Sequence, residues 1–183
     1  FYIGNWVDLS GHFPGKIDNV QIYNKALTNT EVRNLSIRVP AGLMAMFDFQ
    51  GDTLDLSVNK NHGTAMGGAT LTIDRFGQPN SAYLFNGSTQ YISIATNAGL
   101  PTGNSARTIC AWFRSTTPNP ENIVSFGTMN TGNGNGLAKG GAAILFYGFA
   151  DDTVGNHNNL TSIWTHSCGT YNGTTTFLYM NGA

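Results

Sequence analysis

At 183 residues the chain is long enough for one large all-β domain, or for one and a half small ones. Only 10% of its residues are charged, against about 25% in a typical soluble protein, and Asn, Thr, Ser and Gly take their place. A formal net charge of −1 without a basic run argues against nucleic acid or an anionic membrane surface as partner, and no apolar run approaches the roughly 20 residues that membrane insertion needs.

In chain order, residues 1–6 form an aromatic, strand-like hexapeptide, and Phe1 opens so directly into it that it reads as a cut end. A polar loop over 7–15 leads to a strand in which Val20 and Ile22 share one face and Asn19, Gln21 and Tyr23 the other. Thr28 with Glu31 is a capping box, predicting one short helix over 28–36. Pro40 and Gly42 then interrupt any regular element, so 37–42 reads as a junction. A strand is predicted at 43–49 and a turn-rich loop at 51–64. Strands 82–85 and 90–95 flank Asn86-Gly87 and read as a hairpin. Residues 108–114 form a strand carrying Trp112, with further strands at 122–126 and 142–149. The glycine-rich run 132–140 between them lacks the Gly-Lys-Ser/Thr ending and following helix of a phosphate loop, and reads as a flexible loop. A strand within 160–171 turns at Asn172-Gly173 into another at 175–180. About a dozen short strands with frequent turns argue for an antiparallel sandwich. Trp6, Trp112, Trp164 and most Phe residues are expected in its core.

The segment Gly15-Lys16-Ile17-Asp18-Asn19-Val20-Gln21-Ile22-Tyr23-Asn24-Lys25-Ala26-Leu27 resembles the closing segment of laminin G-like, concanavalin A-like domains. Phe47-Asp48-Phe49, followed by Asp55-Leu56-Ser57 and Asn61-His62-Gly63, resembles their opening. Residues 74–87 match the pattern closely too, and 160–171 is similar to the family's Trp-His-His strand, with Thr165 in place of the first His. The resemblance implies a jelly roll of two curved antiparallel sheets in permuted order. Residues 1–36 would close a domain of this kind and 43–183 would supply its opening and middle. Asn181-Gly182 signals a turn whose partner strand would be 1–6, so the two ends read as halves of one hairpin region. Circular permutation, a cut from a tandem array, and exchange of ends between neighbouring chains all fit. Such exchange would propagate as head-to-tail self-association.

Cys110 and Cys168 each sit in a strand-like run, either as two buried free thiols or as a strand-to-strand disulfide in an oxidising compartment. Glycoside hydrolysis needs two carboxylates about 5–10 Å apart. The only two Glu are Glu31, which caps the helix, and Glu121, which follows Pro120 in a loop, so no enzyme is expected. No Ser-His-Asp set and no zinc spacing is recognisable. The resemblance implies a calcium site, since related sandwiches often hold one such ion near the first and last strands. Asp18 and Asp48 lie in those strands, with Asp55, Asn59 and Asn61 in the adjoining loop, as candidate ligands or as makers of Asx turns. For glycan contact the candidates are Asp151, Asp152, Asn156, His157 and Asn158, with Tyr147 or Trp164 as a ring face; the alternative is a solvated loop. His12, His62 and His166 are expected to be structural, and Asn34, Asn86, Asn159 and Asn172 lie in sequons that matter only in a eukaryote. The expected function is a non-catalytic extracellular recognition or adhesion module that binds glycan or a surface protein through rim loops. The alternatives are a repeat unit of an adhesin or extracellular filament built by strand exchange, and an accessory domain of a larger carbohydrate-active enzyme.

Overall fold

The computed structural model describes residues 22–26, 41–96, 99–127, 134–148, 152–156 and 160–183. The chain divides into two compact units, Phe1–Arg38 and Val39–Ala183. Of the first unit only the exposed stretch 22–26 is described, and it carries no regular element. The strand predicted to precede it lies almost wholly outside the described residues, and the short helix 28–36 lies entirely outside them.

The described part of the second unit is all strand and turn, and no helix in it is long and apolar enough to cross a membrane. Its strands are β1 (Gly63–Met66), β2 (Thr70–Thr72), β3 (Ala82–Leu84), β4 (Tyr91–Ile94), β5 (Arg107–Phe113), β6 (Glu121–Phe126), β7 (Asn135–Gly140), β8 (Ala143–Tyr147), β9 (Thr153–Asn156), β10 (Thr165–Tyr171) and β11 (Thr176–Met180). They pair antiparallel as β11-β10-β5, β6-β7-β8-β9, β1-β4 and β2-β3. The core joins the two larger sheets. Ile109 of β5 and Tyr171 of β10 meet Leu137 of β7 and Ile144 and Phe146 of β8, with Leu160 beside them. This is the face-to-face packing expected of strands with one apolar face each.

Period-two alternation sets which side chains enter this core. In β5, Arg107 and Ile109 are buried while Thr108, Cys110 and Trp112 point outward. In β10, Thr165, Ser167, Gly169 and Tyr171 are buried and His166, Cys168 and Thr170 are half-exposed. Trp112 therefore does not belong to the core; Ile109, Ala111 and Phe113 take the inward positions of its strand. Trp164 is half-buried, and Trp6 lies outside the described residues.

Four further expectations are corrected. The run 132–140 is not a loop throughout, because 135–140 is β7, an interior strand buried along nearly its whole length. Its glycines serve close approach: a Cβ on Gly136 would fall 2.5 Å from the Val124 carbonyl oxygen and into the Tyr147 ring. Lys139, only 1% exposed, donates from Nζ to the carbonyls of Thr117 (2.7 Å) and Asn119 (3.0 Å). Lys139→Ala would leave both carbonyls without this charged donor, and should cost about 2 kcal/mol in a denaturant titration. Glu121 begins β6 instead of lying in a loop, and accepts from Ser115 Oγ (2.7 Å) and Thr117 Oγ1 (3.0 Å).

The predicted hairpin around Asn86-Gly87 does not form. β3 pairs with β2, and β4 pairs with β1. The turn itself exists, since Asn86 Oδ1 accepts from the amides of Ser88, Thr89 and Gln90 and Gly87 has φ +69°. It is a connector between two ladders. The Asn172 turn does join β10 to β11, with Asn172 Oδ1 accepting from the amides of Thr174 and Thr175. Finally, 43–49 joins no ladder among the described residues. Its backbone is tied to the following loop: Met44 O accepts from Ser57 Oγ and Asn59 Nδ2, Met46 N donates to Asp55 Oδ1, and Met46 O accepts from Leu56 N.

Candidate functional site

The outward face of the β11-β10-β5 sheet carries three rows of side chains. The register places Tyr179, Cys168 and Cys110 in one row, Phe177, Thr170 and Thr108 in the next, and His166 beside Trp112 in the third. Cys110 and Cys168 form a disulfide across the middle row, so of the two sequence readings the strand-to-strand bridge is the one observed. Trp112, Phe177 and Tyr179 remain 45%, 52% and 41% exposed. Large rings left half in water on a sheet face form a platform, which scattered single apolar residues do not.

Trp112 is held from two sides. The His166 ring lies 5.1 Å from it, tilted by 38°. The guanidinium of Arg75 lies 4.9 Å from its centre and 4.3 Å from the Phe76 ring, as a cation over aromatic faces. Arg75 arrives from the turn after β2, which Asp74 shapes by accepting with Oδ1 from the amides of Phe76 and Gln78, both at 2.8 Å. His166 is fixed along the backbone: its amide donates to Asn181 Oδ1 (3.0 Å) and its carbonyl accepts from the Asn181 amide (2.9 Å). The face thus offers flat apolar surface, a cationic fork and an imidazole side by side. Flat rings with a few oriented polar groups suit non-covalent recognition of ring-shaped polar ligands.

The loop proposed for glycan contact is only partly described. Asp151, His157 and Asn158 lie outside the described residues. Asp152 is exposed and accepts from the Gly148 amide at 3.3 Å, while Asn156 ends β9 opposite Ala143. Tyr147 is turned to Asn122, donating to Oδ1 at 3.1 Å. Burial raises its phenol pKa above the ordinary value, with the Ser125 hydrogen bond opposing and the Asp152 charge adding to the rise.

Of the residues considered for calcium, Asp18 lies outside the described residues and Asp48 accepts from the Gln50 amide at 3.4 Å. Asp55 is fully buried. Its Oδ1 accepts from the amides of Met46 (2.9 Å) and Ser57 (2.8 Å), and its Oδ2 from Ser57 Oγ (2.9 Å) and the Asn61 amide (2.8 Å). Asn61 Oδ1 in turn accepts from Thr96 Oγ1 at 2.8 Å. Four protons aimed at one carboxylate occupy the positions a cation would need, so Asp55 as placed anchors its loop and does not fit a calcium ligand. Burial pushes the Asp55 pKa up, but the hydrogen bonds from Met46, Ser57 and Asn61 outweigh it and hold the group below its ordinary value. A depressed folded pKa means the ionised group adds stability above about pH 4 that is lost as pH falls through the lower folded value. Asp55→Asn should therefore be less stable at neutral pH and show a flatter acid limb in urea titrations between about pH 2 and 6.

Among the described residues one group of three His, Cys, Asp or Glu side chains brings its ligand atoms within metal-binding reach: Cys110, His166 and Cys168, within 4.8 Å of one another. With the sulfurs bonded to each other, neither is a thiolate. Sequence reasoning missed both Arg75 and the outward setting of Trp112. The one sequence signal for Trp112 is the parity it shares with Thr108 and Arg114, and Arg107 on the opposite parity, with Ile109 and Phe113, works against it.

No curated protein and no solved structure matches the chain. The model of the concanavalin A-like lectin/glucanases superfamily matches residues 86–183, just over half of the chain and the part that holds both larger sheets, the core and the disulfide. With this match, and with antiparallel pairing in every ladder of the described strands, the chain belongs to the concanavalin A-like lectin/glucanases superfamily.

Proposed function

We propose that the chain is a non-catalytic extracellular recognition module that binds glycan through the outward face of β11-β10-β5. The observation that supports this most is Trp112, half in water, with the tilted His166 ring beside it and the Arg75 guanidinium over it. A sugar ring presents C–H groups on its faces and hydroxyls on its edges. The part of Trp112 left in water suits the faces, and Arg75, which already covers part of that ring, suits the edges with the neighbouring polar groups. The disulfide fits an oxidising compartment. The family supports lectin-like or adhesive use, with glycan as the ligand class the platform favours and a surface protein as the alternative partner.

A glycan array probed with wild type and Trp112→Ala tests this reading. Removing the ring should weaken binding at least about tenfold, which is about 1.4 kcal/mol. Stability should move by no more than about 0.5 kcal/mol, because the side chain is outside the core. Asp152→Ala should leave binding unchanged, and so should a chelator. Undiminished binding by Trp112→Ala, or loss on chelation, would remove the outer face from the mechanism.

A further inference from the structure

The bridge on the outer sheet face has a third donor beside it. Cys110 and Cys168 are direct partners across β5 and β10, and His166 precedes Cys168 by two positions, so all three side chains leave the same side of the sheet. His166 Nε2 lies 3.7 Å from Cys168 Sγ, and Cys110 is exposed. A tetrahedral zinc ion with Zn–S of about 2.3 Å and Zn–N of about 2.05 Å holds sulfur and nitrogen about 3.6 Å apart and two sulfurs about 3.8 Å apart. The His166–Cys168 spacing already meets the first requirement, and all three ligand atoms lie within 4.8 Å of one another. The sulfurs must part from bonding distance, with Cys110 Sγ brought to the same spacing from Nε2.

We propose that reduction of Cys110–Cys168 creates a redox-gated zinc site with the two thiolates and the His166 imidazole as ligands. A small dithiol supplies the two electrons. One of its thiolates attacks a bridge sulfur, the protein S–S bond breaks through a mixed disulfide, and the reagent leaves as its own disulfide, with both protein sulfurs reduced. Zinc then displaces the two thiol protons to solvent and takes the lone pair of neutral Nε2. Three protein ligands leave the fourth position open to water. The ladder that carries the ligands has backbone pairing and a core face of its own. It runs from Arg107–Phe113 to Thr165–Tyr171, and its opposite face holds Ile109 and Tyr171 in the core.

The test uses the full chain, reduced with a phosphine that does not bind metal, and titrated anaerobically with Co2+ as a spectroscopic stand-in for Zn2+. The reduced chain should give a thiolate-to-cobalt charge-transfer band that saturates at one equivalent and disappears on adding Zn2+. The oxidised chain and the Cys110→Ser/Cys168→Ser variant should give none. His166→Ala should retain a thiolate band but bind at least about 100-fold more weakly. Near-UV circular dichroism on the same samples reports whether the reduced chain keeps its packing. Absence of the band, equal affinity in His166→Ala, or a band that appears only after packing is lost would each overturn the proposal.

Discussion

Gly169→Ala should destabilise the fold by about 3 kcal/mol, although it adds a single methyl group. Gly169 is mid-strand in β10, between Ile109 of β5 and Leu178 of β11, and faces inward. A Cβ there would overlap Cδ2 and Cγ of the Phe146 ring and lie 2.7 Å from its Cβ. The ring is fully buried in the core with Leu137, Ile144 and Tyr171, so it has no room to retreat. Its φ is not positive, so backbone strain does not contribute. In an open strand the same change would gain about 0.5–1 kcal/mol, and here the sign is reversed by contact. Urea denaturation measures the loss, and a cycle with Phe146→Ala locates it. Once the ring is gone, alanine at 169 should cost less than about 1 kcal/mol. A neutral Gly169→Ala in the wild-type background would mean that Phe146 does not rest on that backbone.

This contact illustrates what could and could not be read from the sequence. The antiparallel two-sheet class follows from strand-length apolar runs between turn residues, and Asn172-Gly173 does join β10 to β11. Phase was harder. Both faces of β5 carry apolar side chains, Ile109 and Phe113 on one and Cys110 and Trp112 on the other, so hydrophobicity alone leaves the inward face undecided. Arg107 misleads further, because a charged residue marks the inward side. It is accommodated there by donating from Nη1 to the carbonyls of Gly103 and Ser105 and by lying over the Tyr171 ring at 4.6 Å. Strand β7 was hidden because Asn, Gly and Lys are turn and surface residues by propensity. Burial between β6 and β8 and the carbonyls that receive Lys139 Nζ override that propensity. Asn86-Gly87 gave the turn but not the partner, since a two-residue signal carries no information about which ladder each strand joins. The recognition platform depends on Arg75, brought to Trp112 from another ladder's turn, a long-range placement that no local pattern encodes.

Replacing both cysteines, Cys110→Ser with Cys168→Ser, should lower stability by roughly 4 kcal/mol. The bridge spans 58 residues of chain. On the chain-entropy account, closing a loop of that length restricts the unfolded ensemble and leaves the folded state nearly untouched. The placement of the bridge suits that mechanism. It lies on the outer face, while the core is made by the opposite face of the same two strands, and the seven-residue register between them has its own backbone ladder. The variant should therefore keep the native far-UV and near-UV signals at low temperature and melt roughly 10 °C lower. Wild type in reductant should fall to the same midpoint, and the double variant should not respond to reductant. Equal midpoints for oxidised and reduced wild type would show that the β5-β10 ladder and its core hold the strands together as firmly without the bridge, and that its contribution lies in the outer face alone.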